Sequence, residues 1–280
     1  MHEVLNLLFQ VSIVVFVVAT MLSMGLGLRL KEITAPLKNI KLIAVVIGIN
    51  FLLIPLVTVG INTLLPLDEG AKIALIIVAL SAGAPFIPKL VEIAESDTAL
   101  ATAVMLLLMV ATVIILPFAL PLFVEGDVVV DSFSIAKSLV IMMIVPLAIA
   151  LYVKAKKDVF ATRWQPKMVK LSNIALLGII IVMSLLHGKA IIGIIGYDML
   201  GIVLFMLSAL VIGYLLGSVT HENAVVSSLA AGQRNISAAL VVAAQNFGDN
   251  PKVSIVIIAV SVLGLFILLF SAKKFKKLSL

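Results

Sequence analysis

The chain has 280 residues, 63% of them hydrophobic and 12% charged, with a mean hydropathy of +1.30. Soluble domains carry about 25% charged residues, so this composition excludes a soluble globular protein and implies a membrane protein of about nine or ten helical spans. The absence of cysteine excludes disulfides, thiolate metal sites and cysteine nucleophiles, and in such a chain a net charge of +6 reports topology, not nucleic-acid binding.

Met1-His2-Glu3-Val4 lacks the basic start of a signal peptide, so the first apolar run is expected to be a retained span. Apolar runs separated by polar or Pro/Gly clusters predict nine spans: Leu5–Leu28, Lys41–Leu65, Ala71–Ala94, Thr98–Val124, Phe133–Val153, Met168–His187, Tyr197–Val219, Asn223–Asn246 and Val253–Ser271. The expected fold is an all-α membrane protein in one membrane domain, 1–280, with no soluble domain appended.

Basic residues orient these spans. Arg29, Lys31, Lys38 and Lys41 separate spans one and two. Lys154, Lys156, Lys157, Arg163, Lys167 and Lys170 separate spans five and six. Lys273, Lys274, Lys276 and Lys277 lie in the tail. These fourteen of the twenty basic residues fall on one side, which predicts an outer N-terminus and a cytoplasmic C-terminus in the cell (inner) membrane. The tail lysines read as an anchor on anionic lipid. All seven aspartates fall at or near predicted loops, and only Glu92 and Glu95 lie within or at the very end of a span. A proton or sodium carrier built on a mid-membrane acid pair is therefore disfavoured.

Two spans are interrupted in matching places. The third reads Ser81-Ala82-Gly83-Ala84-Pro85-Phe86-Ile87-Pro88-Lys89, and the eighth reads Ser227-Ser228-Leu229-Ala230-Ala231-Gly232-Gln233-Arg234-Asn235-Ile236-Ser237. Pro85 and Pro88 lack amide donors and disfavour helix before them. Irregular backbone at membrane depth survives only inside protein or beside water, and an arginine there is costly. Corresponding breaks in two halves point to a transporter binding site, and a separation of five spans gives them the opposite orientations of an inverted repeat. Exposed half-helix N-termini attract anions. The competing reading is a pair of packing kinks.

With Met24-Gly25-Leu26, Asn50-Phe51-Leu52-Leu53-Ile54-Pro55 and Gly232-Gln233-Arg234-Asn235, the chain resembles the bile acid:sodium symporter family in a nine-span form. The resemblance implies two crossing discontinuous helices, a panel (5–28 and 133–187) and a core (41–124 and 197–271). It also implies a small organic anion as substrate, moved by alternating access of core against panel. The substrate-binding residues it suggests are Gly83, Ala84, Gly232, Arg234, Asn235 and Ser237.

The departures from the family pattern are specific. The positions corresponding to the family's sodium ligands are Asn50, Phe86, Ile87, Ala101, Met105, Ala230 and Arg234. Apart from Asn50, none offers a side-chain oxygen, and sodium is a hard cation requiring oxygen ligands. Sodium coupling is expected to be lost or altered, with the permanent charge of Arg234 standing where a cation would. Arg234 is otherwise a direct partner for a substrate carboxylate, or half of an ion pair with Glu92, Glu95 or Glu222. A residual sodium-coupled symporter and a transport-inactive sensor remain alternatives.

Other polar residues are weaker candidates. Asn50 is a cation-site remnant or a partner for carbonyls freed by Pro55. Ser81, Ser227, Ser228 and Ser237 are expected to bond within or between helices, and Lys89 to pair with Glu92. Asn6, Gln10 and Asn173 fall on the panel, His187 and His221 near span ends, and Asn246 at a helix terminus. No His/Asp/Glu cluster is present and no serine has an evident general base, so an enzyme is not expected. Neither a cofactor nor a resident metal is expected, and the lipid bilayer is the surrounding partner.

Overall fold

The computed structural model describes residues 2–28, 40–124, 131–217 and 221–278. Arg29, Lys31 and Lys38 lie outside the described residues, as do the side chains of His221 and Glu222. Every regular element described is helical. In chain order they are α1 (His2–Gly27), α2 (Ile40–Leu64), α3 (Glu69–Leu80), α4 (Ile87–Ile93), α5 (Thr98–Phe123) and α6 (Ser132–Lys156). There follow α7 (Asp158–Ile192), α8 (Tyr197–Leu216), α9 (His221–Gly232), α10 (Ile236–Asn246) and α11 (Pro251–Leu278).

Eight helices among the described residues are long and apolar enough to cross a membrane, with Asn223–Asn246 counted across its break. The segment expected as a third continuous span, Ala71–Ala94, is instead α3 of 12 residues and α4 of 7 residues, neither of which is membrane-length alone. Proline explains the division: Pro85 and Pro88 remove two amide donors where the helix would have continued.

Prolines also shape α2 and α6. Each carries one wide turn, Ile49–Leu53 and Val140–Ile144, ending two residues before Pro55 and Pro146. A π-turn bonds i→i+5, so the helix is already widened where the proline ring enters it. Aspartates serve as starts. Asp97 Oδ1 accepts the Leu100 amide at 2.9 Å, and Asp131 accepts those of Phe133 and Ser134. Hydrogen bonds from the Ser134 side chain and backbone hold the Asp131 carboxyl below the usual carboxylate range.

Helix α1 packs chiefly on α7 and α6, while α3 packs on α11 and α8 on α9. Helix α3 is apolar on all sides and buried from Gly70 to Leu80 apart from Lys72, as a helix without a lipid-facing stripe must be. Helices α9 and α10 are enclosed to a similar degree.

Candidate functional site

The two chain breaks meet. Helix α3 ends at Leu80 and α9 at Gly232, and the extended residues after each turn toward one another. The Asn235 backbone N–H donates to the Ser81 carbonyl at 2.8 Å. Its Nδ2 donates to the Gly83 carbonyl at 3.2 Å, and its Oδ1 accepts the Ala238 amide at 3.1 Å, capping α10. One buried amide thus satisfies the carbonyls of the first break and starts the helix after the second.

Thr112 of α5 supports the first break from the other side. Its hydroxyl accepts the Ala82 amide at 2.9 Å and donates to the Ala82 carbonyl at 3.0 Å. Gly83 adopts φ +76°, and a Cβ there would collide with the backbone of Leu108 and Met109. Sequence reasoning identified Gly83 and Asn235 but not Thr112, because a single threonine in an apolar run carries no distinguishing pattern.

Arg234 lies beside the crossing and is 3% exposed. Its Nη1 donates to Asn50 Oδ1 at 3.1 Å and to the Ala79 carbonyl at 3.3 Å, while Nε and Nη2 have no hydrogen-bond partner. The guanidinium carbon stands 5.7 Å from the centre of the Phe205 ring, a favourable cation–π distance. Glu92 is paired with Lys89 at 2.9 Å and Glu95 with Lys276 at 2.7 Å. Glu222 belongs to the first turn of α9, about 15 Å of helical rise from Gly232. No described carboxylate therefore answers this cation.

Asn50 sits in the wide turn of α2. Its Nδ2 donates to the Val46 carbonyl at 2.9 Å, leaving Oδ1 for Arg234. Of the other positions corresponding to sodium ligands, Ile87, Ala101, Met105 and Ala230 are buried apolar side chains, and Phe86 is partly exposed. None of these five side chains offers an oxygen. The amide oxygen and backbone carbonyl that could serve a cation are engaged by Arg234. Ser81 and Ser228 bond to the carbonyls of Ile77 and Leu210, and Ser227 to that of Gly217.

Ala84, Arg234, Asn235 and Ser237 line a cavity of about 550 Å³. Its other walls come from α1, α5, α7 and α11, including Thr20, Ser23, Gln165 and Asn173. Arg234 is the one charged residue among its described lining. Gly83 and Gly232 shape the crossing without lining the cavity. The cavity reaches Gly27 and Leu28 at the C-terminal end of α1.

A second cavity of about 260 Å³ lies at the opposite end of the same interface, with Asn6, Gln10, His187 and Ser254 in its walls. His187 interrupts the geometry of α7 there, with φ −134° and ψ 32°. Both cavities are bounded by α1, α7, α10 and α11. In sequence, the stretches of these helices between the two sets of lining residues include the buried apolar residues Ile13, Ile179, Leu240 and Ile258.

A family model described as Sodium Bile acid symporter family matches residues 14–194. The matched range runs from α1 to the end of α7 and includes the first break and Asn50; Arg234 and Asn235 follow it. No curated protein matches the chain. A match over well over half of the sequence, on a chain with eight membrane-length apolar helices, makes this multi-pass membrane protein a member of the sodium bile acid symporter family.

Proposed function

We propose that the protein is a secondary transporter of a small organic anion, working by alternating access, in which Arg234 supplies the positive charge that a bound sodium ion would otherwise provide. The observation that carries this reading is the isolation of Arg234. It is buried, lines the larger cavity, lacks a described carboxylate partner, and occupies an amide oxygen and a carbonyl suited to a cation. An uncompensated buried guanidinium is costly, and its Nε and Nη2, unbonded and buried just behind the cavity wall, could pair bidentately with a carboxylate once a side-chain rearrangement uncovers them.

In this reading the segments α3–α4 and α9–α10 are the crossing helices of an inverted repeat, and the former completes a ninth span. Helices α1, α6 and α7 form the panel, and the remaining helices the core. With the basic stretches on the cytoplasmic side, the N-terminus is outside. The larger cavity then opens inward, because it reaches the end of α1 that precedes Arg29.

Uptake of radiolabelled carboxylates into proteoliposomes tests this, with sodium or potassium as the external cation. Equal uptake in the two salts is expected. Uptake that rises severalfold with sodium would identify a conventional symporter with a residual site. Absence of flux for every anion would favour a transport-inactive sensor.

A further inference from the structure

We infer that the N-terminal end of α7 carries a headgroup site for an anionic phospholipid, built from Arg163, Lys167 and Lys170 beside the ring pair Phe160 and Trp164. The inference does not depend on the transport reading above.

These three cations are the only basic residues of α7 ahead of its apolar stretch, and its one acid, Asp158, is ion-paired with Lys154 at 2.7 Å. At about 100° and 1.5 Å of rise per residue, the three fall within an arc of about 60° over about 10 Å of helix. Gln165, Val169, Ser172 and Leu176, which line the larger cavity, occupy the opposite side of the helix. The basic arc runs on into the exposed apolar residues Ile174 and Ile181. Cations and lipid-facing side chains thus form one strip along the back of α7.

That strip has the parts a phospholipid needs. All three cations are exposed, and none has a carboxylate partner among the described residues. Phe160 stacks on Trp164 with ring centres 5.6 Å apart, and Lys167 Nζ stands 4.3 Å from the centre of the Trp164 ring. Tryptophan favours the boundary between hydrocarbon and water, so the ring pair sets the cations at headgroup depth. Guanidinium and ammonium groups bind phosphate, and basic clusters at this depth attract anionic lipid. An acyl chain joined to that phosphate has Ile174 and Ile181 to lie along. A signal for topology alone would serve at any angle around the helix; here the cations share the arc that faces lipid. A free phosphate ester would gain the cations without the strip.

Trp164 is the only tryptophan of the chain, so its fluorescence reports from the site itself. The purified full-length protein is reconstituted in bilayers of phosphatidylcholine and phosphatidylglycerol, with bromine on the acyl chains of one lipid or the other as quencher. The two quenching curves are expected to show phosphatidylglycerol preferred next to Trp164 by about threefold or more. Replacing Arg163, Lys167 and Lys170 together by Gln should bring that preference to about one. Replacing Lys273, Lys274 and Lys277 by Gln removes the same charge from the tail and should leave it in place. Equal quenching by the two lipids in the native protein would overturn the site, as would a preference that survives in the α7 variant. A preference lost equally in the tail variant would assign it to net charge and overturn the site as well. Recovery of fluorescence on adding glycerol 1-phosphate at the concentration of the lipid would show that a free phosphate ester suffices, and would overturn the lipid as occupant.

Discussion

The backbone N–H of Asn235 is bound to the carbonyl of Ser81 across the two interrupted segments. Each break therefore completes the hydrogen bonding of the other, and neither is a tolerable structure alone at membrane depth. The same residue bonds Gly83 and caps α10. Asn235→Ala should cost about 2 kcal/mol or more, combining a lost cap with a buried carbonyl left unpaired. Thermal unfolding in detergent would register this, and uptake should fall with it. Asn235→Asp keeps the capping oxygen and loses the Nδ2 donor, so an intermediate loss is expected.

Thr112→Val removes a hydroxyl that serves both backbone groups of Ala82 while keeping the side chain's shape. Two buried polar groups lose their partner, at a cost of about 2–4 kcal/mol. Thr112→Ser should restore most of it. A Val variant as stable as the native protein by detergent melting would mean that the hydroxyl is dispensable.

Gly83→Ala places a methyl group against the backbone of Leu108 and Met109 in a conformation that already disfavours a side chain. Loss of monodisperse protein on size-exclusion chromatography is the expected result. Gly60→Ala is the matched comparison. That glycine lies within α2, and a Cβ there would meet no neighbouring atom within 4 Å. A neutral effect or a gain of up to about 1 kcal/mol is expected.

At the other end of the helices, Lys252 is ion-paired with Asp198 at 2.7 Å and with Asp68. The side chain of Asp198 is 4% exposed and that of Asp68 is 64% exposed. Lys252→Met strands a buried carboxylate and should destabilise by about 3 kcal/mol. Asp68→Asn removes an exposed partner and should cost under about 1 kcal/mol. Reversal of that order in paired melting curves would show that burial is not what sets these energies.

Much of this architecture was legible because lipid imposes simple rules on sequence. Long apolar runs marked the membrane-length helices, and the Gly and Pro clusters marked both interruptions. Helix ends were harder. The expected span Met168–His187 belongs to a helix running from Asp158 to Ile192. Arg163 and Lys167 read as loop because hydropathy measures burial in lipid, while a helix can continue past the hydrocarbon. Phe160 stacks on Trp164 and Lys167 lies over the Trp164 ring in that stretch. The expected pairing of Lys89 with Glu92 is present, since three residues along a helix fixes proximity. The Arg234–Asn50 bond spans 184 residues, and nothing local in either segment encodes it. Thr112 was invisible for the same reason: it is one ordinary residue in an apolar helix, made distinctive only by the Ala82 backbone it faces.

A bound ion comes and goes by mass action, and its site empties as its concentration falls. Arg234 is joined to its neighbours by peptide bonds. Its charge is present in every copy of the protein, in fresh water or brine, before and after dialysis. On the proposed reading, the joint between Ser81 and Asn235 assembles in any ionic medium. Depletion of salt, which would empty an ion-held joint, would on that reading remove nothing from this one.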